Sequence, residues 1–408
     1  MLTQPQCRLC ACALDEFISF GQQPMSNAYI GPEGFADEFF FRLAVGICPE
    51  CQMVQLVDEV PNENMFHKEY PYRTSGSAFM RAHFERAAQS FLSLTAASGD
   101  PFIVEIGSND GAVLTHVQQT GTRHLGVEPC TNLADLSASR GINVLNAYFD
   151  ESAARQIAED HGQADIIFSA NTISHISYLD SVFRGADALL KPDGLFIFED
   201  PYFSDILRLT SFDQIYDEHV YFFTAASVQT AVSRYGLTLV DVQHLPVHGG
   251  EIRYVVAREG AHQPTRALAQ LLNAEREAAV TERNTLEKFA AAVEDRKASL
   301  VRLLHDLAAQ GKRVAGYGAT AKSATVLNYC GIGPDLVSFI SDNTAAKQGR
   351  YTPGSHIPVL SPAAFASPYP DYALLFAWNH QKEIMAKEST FRRGGGNWIL
   401  YVPEVGFG

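Results

Sequence analysis

The alternation of apolar and polar positions divides the chain into stretches of different rhythm. Up to about residue 68 it shows short alternating segments and little helical periodicity. From residue 69 to about 258, compact apolar runs (FIVEIG, HLGVEP, ADIIFSA, GLFIFED, YVVARE) alternate with segments of helical spacing. That rhythm predicts a mainly parallel sheet covered by helices. Leu268, Leu271, Leu272, Leu286, Phe289, Val293, Leu300, Leu303, Leu304 and Leu307 then fall near helical spacing, which predicts one or two long helices ending at Gly311. Within them AEREAAVTERNTLEKF reads as a solvated face. A second strand–helix pattern starts at RVAGYGA and runs through VSFISD and YALLFAW. The expected class is α/β, with units at 1–68, 69–258, a helical bridge at 259–310, and 311–408.

Composition narrows this only a little. The 408 residues exceed one core, and 46% apolar with 19% charged is an ordinary globular balance. A net charge of -15 argues against a nucleic-acid partner, whose phosphates need a basic surface. No apolar run reaches the ~20 residues of a membrane span. MLTQPQCRLC lacks a basic segment followed by an apolar core. A cytoplasmic protein, a monomer or weak dimer, is the expectation.

Seven cysteines are an odd number for a disulfide frame. Four of them form two CxxC knuckles, Cys7/Cys10 and Cys48/Cys51. Four thiolates at that spacing suit a tetrahedral Zn²⁺ with no open position, hence a structural metal. Cys12 sits beside the first pair, and Cys130 and Cys330 read as small buried hydrophobes.

In PFIVEIGSNDGAVL a buried strand runs into Gly107 and Gly111 and then a helix start. Glycines there let backbone approach a ligand. HLGVEP ends a second strand at Glu128, where an acid can bind ribose hydroxyls, and ADIIFSANTISH ends near Asn171 and His175. The loop is ExGxxxG and resembles the S-adenosylmethionine (SAM) loop of Rossmann-like methyltransferases. The cofactor candidates are Glu105, Gly107, Asn109, Gly111, Glu128 and Asn171.

FDQIYDEHVYFF, residues 212–223, packs Asp213, Tyr216, Asp217, Glu218, His219 and Tyr221 between apolar residues. Strand ends face the ligand crevice, so on the methyltransferase reading Tyr216, Glu218 and His219 are expected near the transferred methyl, whereas Tyr221, Phe222 and Phe223 read as core. His248, Gly249, Gly250 and Arg253 follow in a turn that re-enters a strand. His244, His248 and His356 read as turn or surface residues. In RVAGYGATAKSATVLNY, Gly318, Ala319 and Lys322 combine small residues, a helix N-terminus and a cation, a set that suits a diphosphate. Lys347 and Arg350 either serve a phosphate or cover a loop.

Taken in order, the two CxxC pairs with GQQPMSNAY, then YPYRTSGS, VEIGSNDG, GVEP, NTISH, IYDEH, HGGEIR, GYGATAKSATVLNY, DNTAAKQGRYTPGSHIP, FAWNH and VPE resemble the sugar C-methyltransferases that act on nucleotide-linked 4-keto-deoxysugars. The resemblance covers nearly the whole chain. It implies a zinc-binding N-terminal domain, a SAM-binding middle domain and a Rossmann-like C-terminal domain that helps hold the nucleotide sugar. It implies base-assisted methylation of sugar C3, with active-site residues at Tyr72, His175, Tyr216, Glu218 and His219. A C4 ketone acidifies the C3 proton, and His219 is the expected base. Glu218 would orient it or bind a hydroxyl, and Tyr216, Tyr72 or His175 would donate to the enolate oxygen. Gly318, Ala319, Lys322 and Arg253 are the expected substrate contacts.

Two positions depart from the family pattern. Asp217 stands where the motif usually has His, and Glu251 where the turn often continues with Ser. An acid beside His219 would favour imidazolium unless Asp217 points to solvent. Two rival readings stay open: an O- or N-methyltransferase on a nucleotide sugar or related small molecule, and a non-catalytic zinc and Rossmann ligand-binding protein.

Overall fold

The computed structural model describes residues 5–61, 65 and 70–408; the expected boundary at residue 68 lies outside them. Three sheets form the frame. The first is antiparallel, with β1 (Asp15–Pro24), β2 (Phe40–Ile47), β3 (Val54–Leu56) and β9 (Tyr221–Phe222) side by side in that order. Its fourth strand is borrowed from the middle of the chain: Val54 pairs with Phe222 and Gln55 with Tyr221.

The second sheet contains β4 (Phe102–Ile106), β5 (Arg123–Val127), β6 (Val144–Leu145), β7 (Ala164–Ala170), β8 (Leu190–Pro201), β10 (Leu237–Leu245) and β11 (Glu251–Arg258). Their order is β10-β11-β8-β7-β4-β5-β6. Neighbours from β8 to β6 are parallel, and β11 runs antiparallel between β8 and β10. The strand order turns back between β4 and β7. Loops leaving those two strands diverge, and a crevice opens at their C-terminal ends. The apolar runs read from the sequence became β4, β5, β7, β8 and β11 because each is buried on both faces, as a helix-covered sheet requires.

The third sheet has β12 (Val314–Tyr317), β13 (Ile340–Ser341), β14 (Val359–Leu360), β15 (Tyr372–Leu375), β16 (Asn397–Leu400) and β17 (Gly406–Phe407), ordered β14-β13-β12-β15-β16-β17. Only β17 is antiparallel to its neighbour. A second switch point therefore lies beside β12, where the turn Gly318–Lys322 leads into helix Ala321–Cys330.

The leucine-rich stretch forms two helices, Arg266–Glu277 and Arg283–Ala309. Gly311 follows the second at φ +68°, the left-handed backbone a helix terminus needs. Leu286, Phe289, Val293, Leu300, Leu304 and Leu307 form its buried face. They share one core with Ile18, Phe20, Leu43 and Val45 of the first sheet, with Val326 and Leu327 of helix Ala321–Cys330 and with Tyr401 just beyond β16. The N- and C-terminal parts of the chain are thus packed together, with the second sheet beside them. Among the described residues no helix is long and apolar enough to cross a membrane.

Phe212–Phe223 is wholly buried where the three sheets meet. Its polar groups are taken up by different partners. Asp213 accepts hydrogen bonds from Trp378 Nε1 and Tyr401 Oη, both at 2.7 Å, on the C-terminal side. The Ile215 carbonyl accepts from Thr325 at 2.7 Å. Asp217 accepts the Ser26 N–H at 3.0 Å, and Glu218 accepts from Asn27 Nδ2 at 2.5 Å, on the N-terminal side. Tyr221 donates to the Ser177 carbonyl at 2.7 Å, while Phe222 and Phe223 join the core, as expected of them.

Candidate active site and metal centre

The four knuckle thiols converge. The Sγ atoms of Cys7, Cys10, Cys48 and Cys51 all lie within 4.8 Å of one another. Contacts are 3.6 Å for Cys7–Cys51, 3.3 Å for Cys10–Cys48 and 3.8 Å for Cys10–Cys51. A tetrahedron with ~2.3 Å zinc–sulfur bonds separates its thiolates by ~3.8 Å, so the set fits zinc. Gln55 Nε2 donates to Cys7 Sγ at 3.2 Å, and Gln55 is the residue paired with Tyr221. The metal centre therefore braces the strand against which the junction segment lies. Cys12 stays outside the cluster, and Cys130 and Cys330 are buried with thiols pushed up by desolvation.

A cleft of about 350 Å³ opens at the crevice of the second sheet and is closed by residues from all three parts of the chain. On the β4–β7 side, Gly107 turns at φ +66°, and a Cβ there would lie 2.3 Å from Thr172 Oγ1. Asn109, at φ +50°, donates its N–H to Glu128 Oε2 at 2.8 Å, and Cys130 N–H donates to Oε1 at 2.8 Å. The Glu128 carboxylate is thereby fixed at the end of β5, facing the cleft. Glu105 is buried against the same cleft with Oε2 lacking any partner. Burial, then the neighbouring Glu128 and Asp110, push its carboxyl well above the usual carboxylate range. An orphaned acid, a glycine cradle and an acid at the second strand end fit a ligand bearing cationic groups and a ribose, as SAM does. Asn171, at φ +51°, completes this wall. Gly111 does not line the cleft: it packs on Ile142 and Ser137 and shapes the loop.

Residues 70–77 are pinned over this loop. Thr74 N–H donates to Asn109 Oδ1 at 3.0 Å and Ser75 N–H to Asp110 Oδ1 at 3.2 Å. Tyr72 stands at the mouth, 46% exposed. Tyr70 reaches deeper and donates to Glu218 Oε2 at 2.7 Å. Burial and then Asp217 push the Glu218 carboxyl up to about 7, opposed by its hydrogen bonds to Tyr70 and Asn27.

His219 is 4% exposed. Its Nδ1 donates to the Gln214 carbonyl at 2.6 Å, which leaves Nε2 as the acceptor of the Tyr216 hydroxyl at 2.9 Å. Desolvation first, then His175, hold the imidazole well below its ordinary pKa, so the ring is neutral. The His175 ring lies 5.1 Å away, lowered to about 3 by burial. Asp217 neither faces His219 nor points to solvent. Its carboxylate is committed to Ser26, so the tension expected from replacing the family's His does not arise.

The far wall comes from the third sheet. Ala319, Thr320, Lys322, Asp342 and Lys347 line it, with the N-terminus of helix Ala321–Cys330. Lys322 Nζ is held by the His248 carbonyl at 3.3 Å and Lys347 Nζ by the Ala319 carbonyl at 2.7 Å, so each ammonium rests on backbone rather than on a carboxylate. Gly318, at φ +85°, forms the turn against Ala377 and does not itself reach the cleft. Arg253 is likewise removed from it: Glu199 binds its guanidinium at 2.5 Å and Phe91 lies beneath it. Arg350 is exposed and donates to the Tyr29 carbonyl. His248 sits in the expected turn but lines the cleft, whereas His244 and His356 pair with Asp205 and Glu38 outside it. Asn27, Tyr70 and Gln214 were not singled out by sequence. Their segments stood out, but nothing local says which residue turns inward.

A switch-point crevice with this loop, joined to a four-thiolate module, defines a SAM-dependent methyltransferase with a zinc-binding N-terminus. Family models match accordingly: a zinc binding domain over residues 7–66, a methyltransferase domain over 79–242 and a C-methyltransferase C-terminal domain over 246–403. The C-methyltransferase NovU of Streptomyces niveus is 36% identical over 404 residues, 98% of this chain and 96% of NovU. This chain belongs to that C-methyltransferase family, and it is a SAM-dependent enzyme with zinc. Two solved structures also align. A SAM-dependent methyltransferase from Anabaena variabilis is 16% identical at TM-score 0.35 over 44% of this chain and 86% of its own. The magnesium protoporphyrin IX methyltransferase of Synechocystis, with bound SAM, is 11% identical at TM-score 0.32 over 44% and 81%.

Elemental analysis is expected to find one zinc per chain, and stripping it with a chelator to lower the thermal midpoint. A metal-free chain with an unchanged midpoint contradicts the structural role. Burial raises the Asp217 carboxyl to about 6, so the unfolded chain ionises first and stability falls as pH rises through the folded value. Asp217→Asn keeps an acceptor for Ser26 without the charge. It should stabilise the protein by on the order of 2 kcal/mol at pH 8, the gain shrinking as pH falls through 6 towards 4. Denaturation midpoints at several pH values read this, and a pH-independent difference contradicts it.

Proposed function

We propose that the acceptor is a nucleotide-linked 4-keto-deoxysugar and that the methyl is added to its C3. The supporting observation is the hydrogen bond from Tyr216 Oη to His219 Nε2, 2.9 Å long, in the cleft wall. C-methylation needs a carbon acid, and a ketone beside the C–H makes one by delocalising the charge into an enolate. A neutral imidazole accepting a phenol proton is a proton store linked to the cleft.

The donor direction supports a division of roles different from the one expected from sequence. The substrate-facing base is the Tyr216 oxygen, which takes the C3 proton as its own proton moves to Nε2 of His219. Burial serves this by keeping His219 neutral beforehand, and the Gln214 carbonyl favours the imidazolium that forms by accepting its Nδ1–H. SAM, when bound, supplies an electrophilic methyl group on a sulfonium. Glu105, Gly107, Asn109, Glu128 and Asn171 would hold it. Glu218, braced by Asn27 and Tyr70, is suited to accept a sugar hydroxyl, and His175 and Tyr72 bound the same space.

Lys322, Lys347 and the helix N-terminus after Thr320 suit the diphosphate. Both ammonium groups are discouraged from charging by burial, a cost that a bound dianion would offset. Cysteines without a disulfide and a diffusible nucleotide substrate suit a cytoplasmic setting.

Incubating the enzyme with SAM and a panel of nucleoside-diphosphate 4-keto-deoxysugars should yield a product heavier by one methylene unit, with the new methyl on C3 by NMR. Tyr216→Phe and His219→Gln should each lower turnover by about 10²–10⁴-fold while leaving S-adenosylhomocysteine binding intact. No product from any keto-sugar, or full activity in both variants, would sink the reading.

A further inference from the structure

Proton removal leaves a negative oxygen on the substrate, and both tyrosines first expected to stabilise it are engaged or misplaced. The Tyr216 hydroxyl proton is directed at His219 Nε2. Tyr72 stands at the open mouth, where water weakens any hydrogen bond it offers. Another donor is present. Gln214 is 1% exposed and lines the cleft, yet neither Nε2 nor Oε1 of its amide has a hydrogen-bond partner.

A buried amide with both ends unsatisfied costs the full desolvation of both groups. The surroundings hold it in place nonetheless. The Gln214 backbone is fixed at both ends, its N–H donating to the Ser211 carbonyl at 3.0 Å and its carbonyl accepting from His219 Nδ1 at 2.6 Å. Gly249, at φ +98°, leaves the amide room: a Cβ there would come within 3.0 Å of Gln214 Nε2 and 2.4 Å of Trp378. An amide is also the right kind of donor here. It is uncharged, so it does not disturb the neutral His219 beside it, and it cannot lose its proton to the base.

We propose that the Gln214 side-chain amide is a catalytic group, its Nε2–H donating to the enolate oxygen while Oε1 accepts from a neighbouring hydroxyl of the same substrate. This rests on the carbon-acid reading above. The step balances: the C3–H bond breaks, its proton goes to Tyr216 Oη, the tyrosine proton goes to His219 Nε2, and the electron pair moves onto the C4 oxygen. The negative oxygen formed is met by the Gln214 amide donor, and nothing is oxidised or reduced.

The test uses the intact zinc-loaded enzyme in D₂O with S-adenosylhomocysteine and a nucleoside-diphosphate 4-keto-6-deoxyhexose that it turns over with SAM. Wild type should wash deuterium into C3. Gln214→Leu should slow that exchange, and kcat for methyl transfer, by about 10²–10³-fold. S-adenosylhomocysteine affinity and zinc content should be unchanged in that variant. Gln214→Glu supplies a readout that a merely structural role would not move. Its carboxyl can donate only when protonated, so its rate should recover as pH is lowered, a recovery that wild type does not show. Wild-type exchange and kcat reproduced within threefold by Gln214→Leu would overturn the assignment and leave the carbon-acid reading standing. Absence of both exchange and C-methylation in wild type, across the sugar panel, would remove that reading and this assignment together.

Discussion

Six ionisable side chains lie from Asp213 to Tyr221, in a segment that is buried throughout. Burial of such groups is tolerated only where each finds a partner. Here the partners come from every part of the fold: Trp378 and Tyr401 for Asp213, Ser26 for Asp217, Asn27 and Tyr70 for Glu218, His219 for Tyr216, and the Ser177 carbonyl for Tyr221. Satisfying these groups obliges the first, second and third sheets to meet around one short stretch of chain. The cleft is the space left between them. Its location is thus a consequence of where the buried polar groups must be met.

The same constraint gives the zinc centre its bearing on catalysis. Four thiolates close the metal's coordination, so the metal takes no part in the reaction. Its influence passes through Gln55, which touches Cys7 and pairs with Tyr221, two residues beyond His219. The shared core of Phe20, Leu286, Leu304 and Val326 then ties that N-terminal sheet to the turn bearing Lys322. Shape and charge in the cleft are therefore set jointly by segments some 300 residues apart, as in Tyr29, whose hydroxyl donates to the Ala319 carbonyl at 2.7 Å across 290 positions.

Local features were legible in the sequence because their causes are local. Doubly buried strands are apolar runs, a thiolate site needs its CxxC spacing, and Gly107 is required by its own backbone angle. The long helix announced itself through Leu286 to Leu307. Partnerships across the fold were not legible. Nothing near Asp217 indicates that Ser26, 191 positions earlier, would claim its carboxylate. Arg253 carries the right charge for a phosphate, but its strand register sets it opposite Glu199. The proposed order of proton transfer was not legible for a similar reason. Which nitrogen of His219 accepts depends on the Gln214 carbonyl, and backbone carbonyls leave no mark in a sequence. Gln214 itself stands out only by what its amide lacks, which requires the surroundings to be known.

The neutrality and tautomer of His219 underlie every step of the proposed mechanism, and ¹⁵N NMR of the histidine side chains reads both directly. The expected spectrum assigns His219 as the Nδ1–H tautomer, with Nε2 unprotonated and shifted by a hydrogen bond lost in Tyr216→Phe, and unchanged from pH 8 to pH 5. An imidazolium at neutral pH, titrating near the ordinary histidine value of ~6.5, or a proton residing on Nε2, would contradict the account.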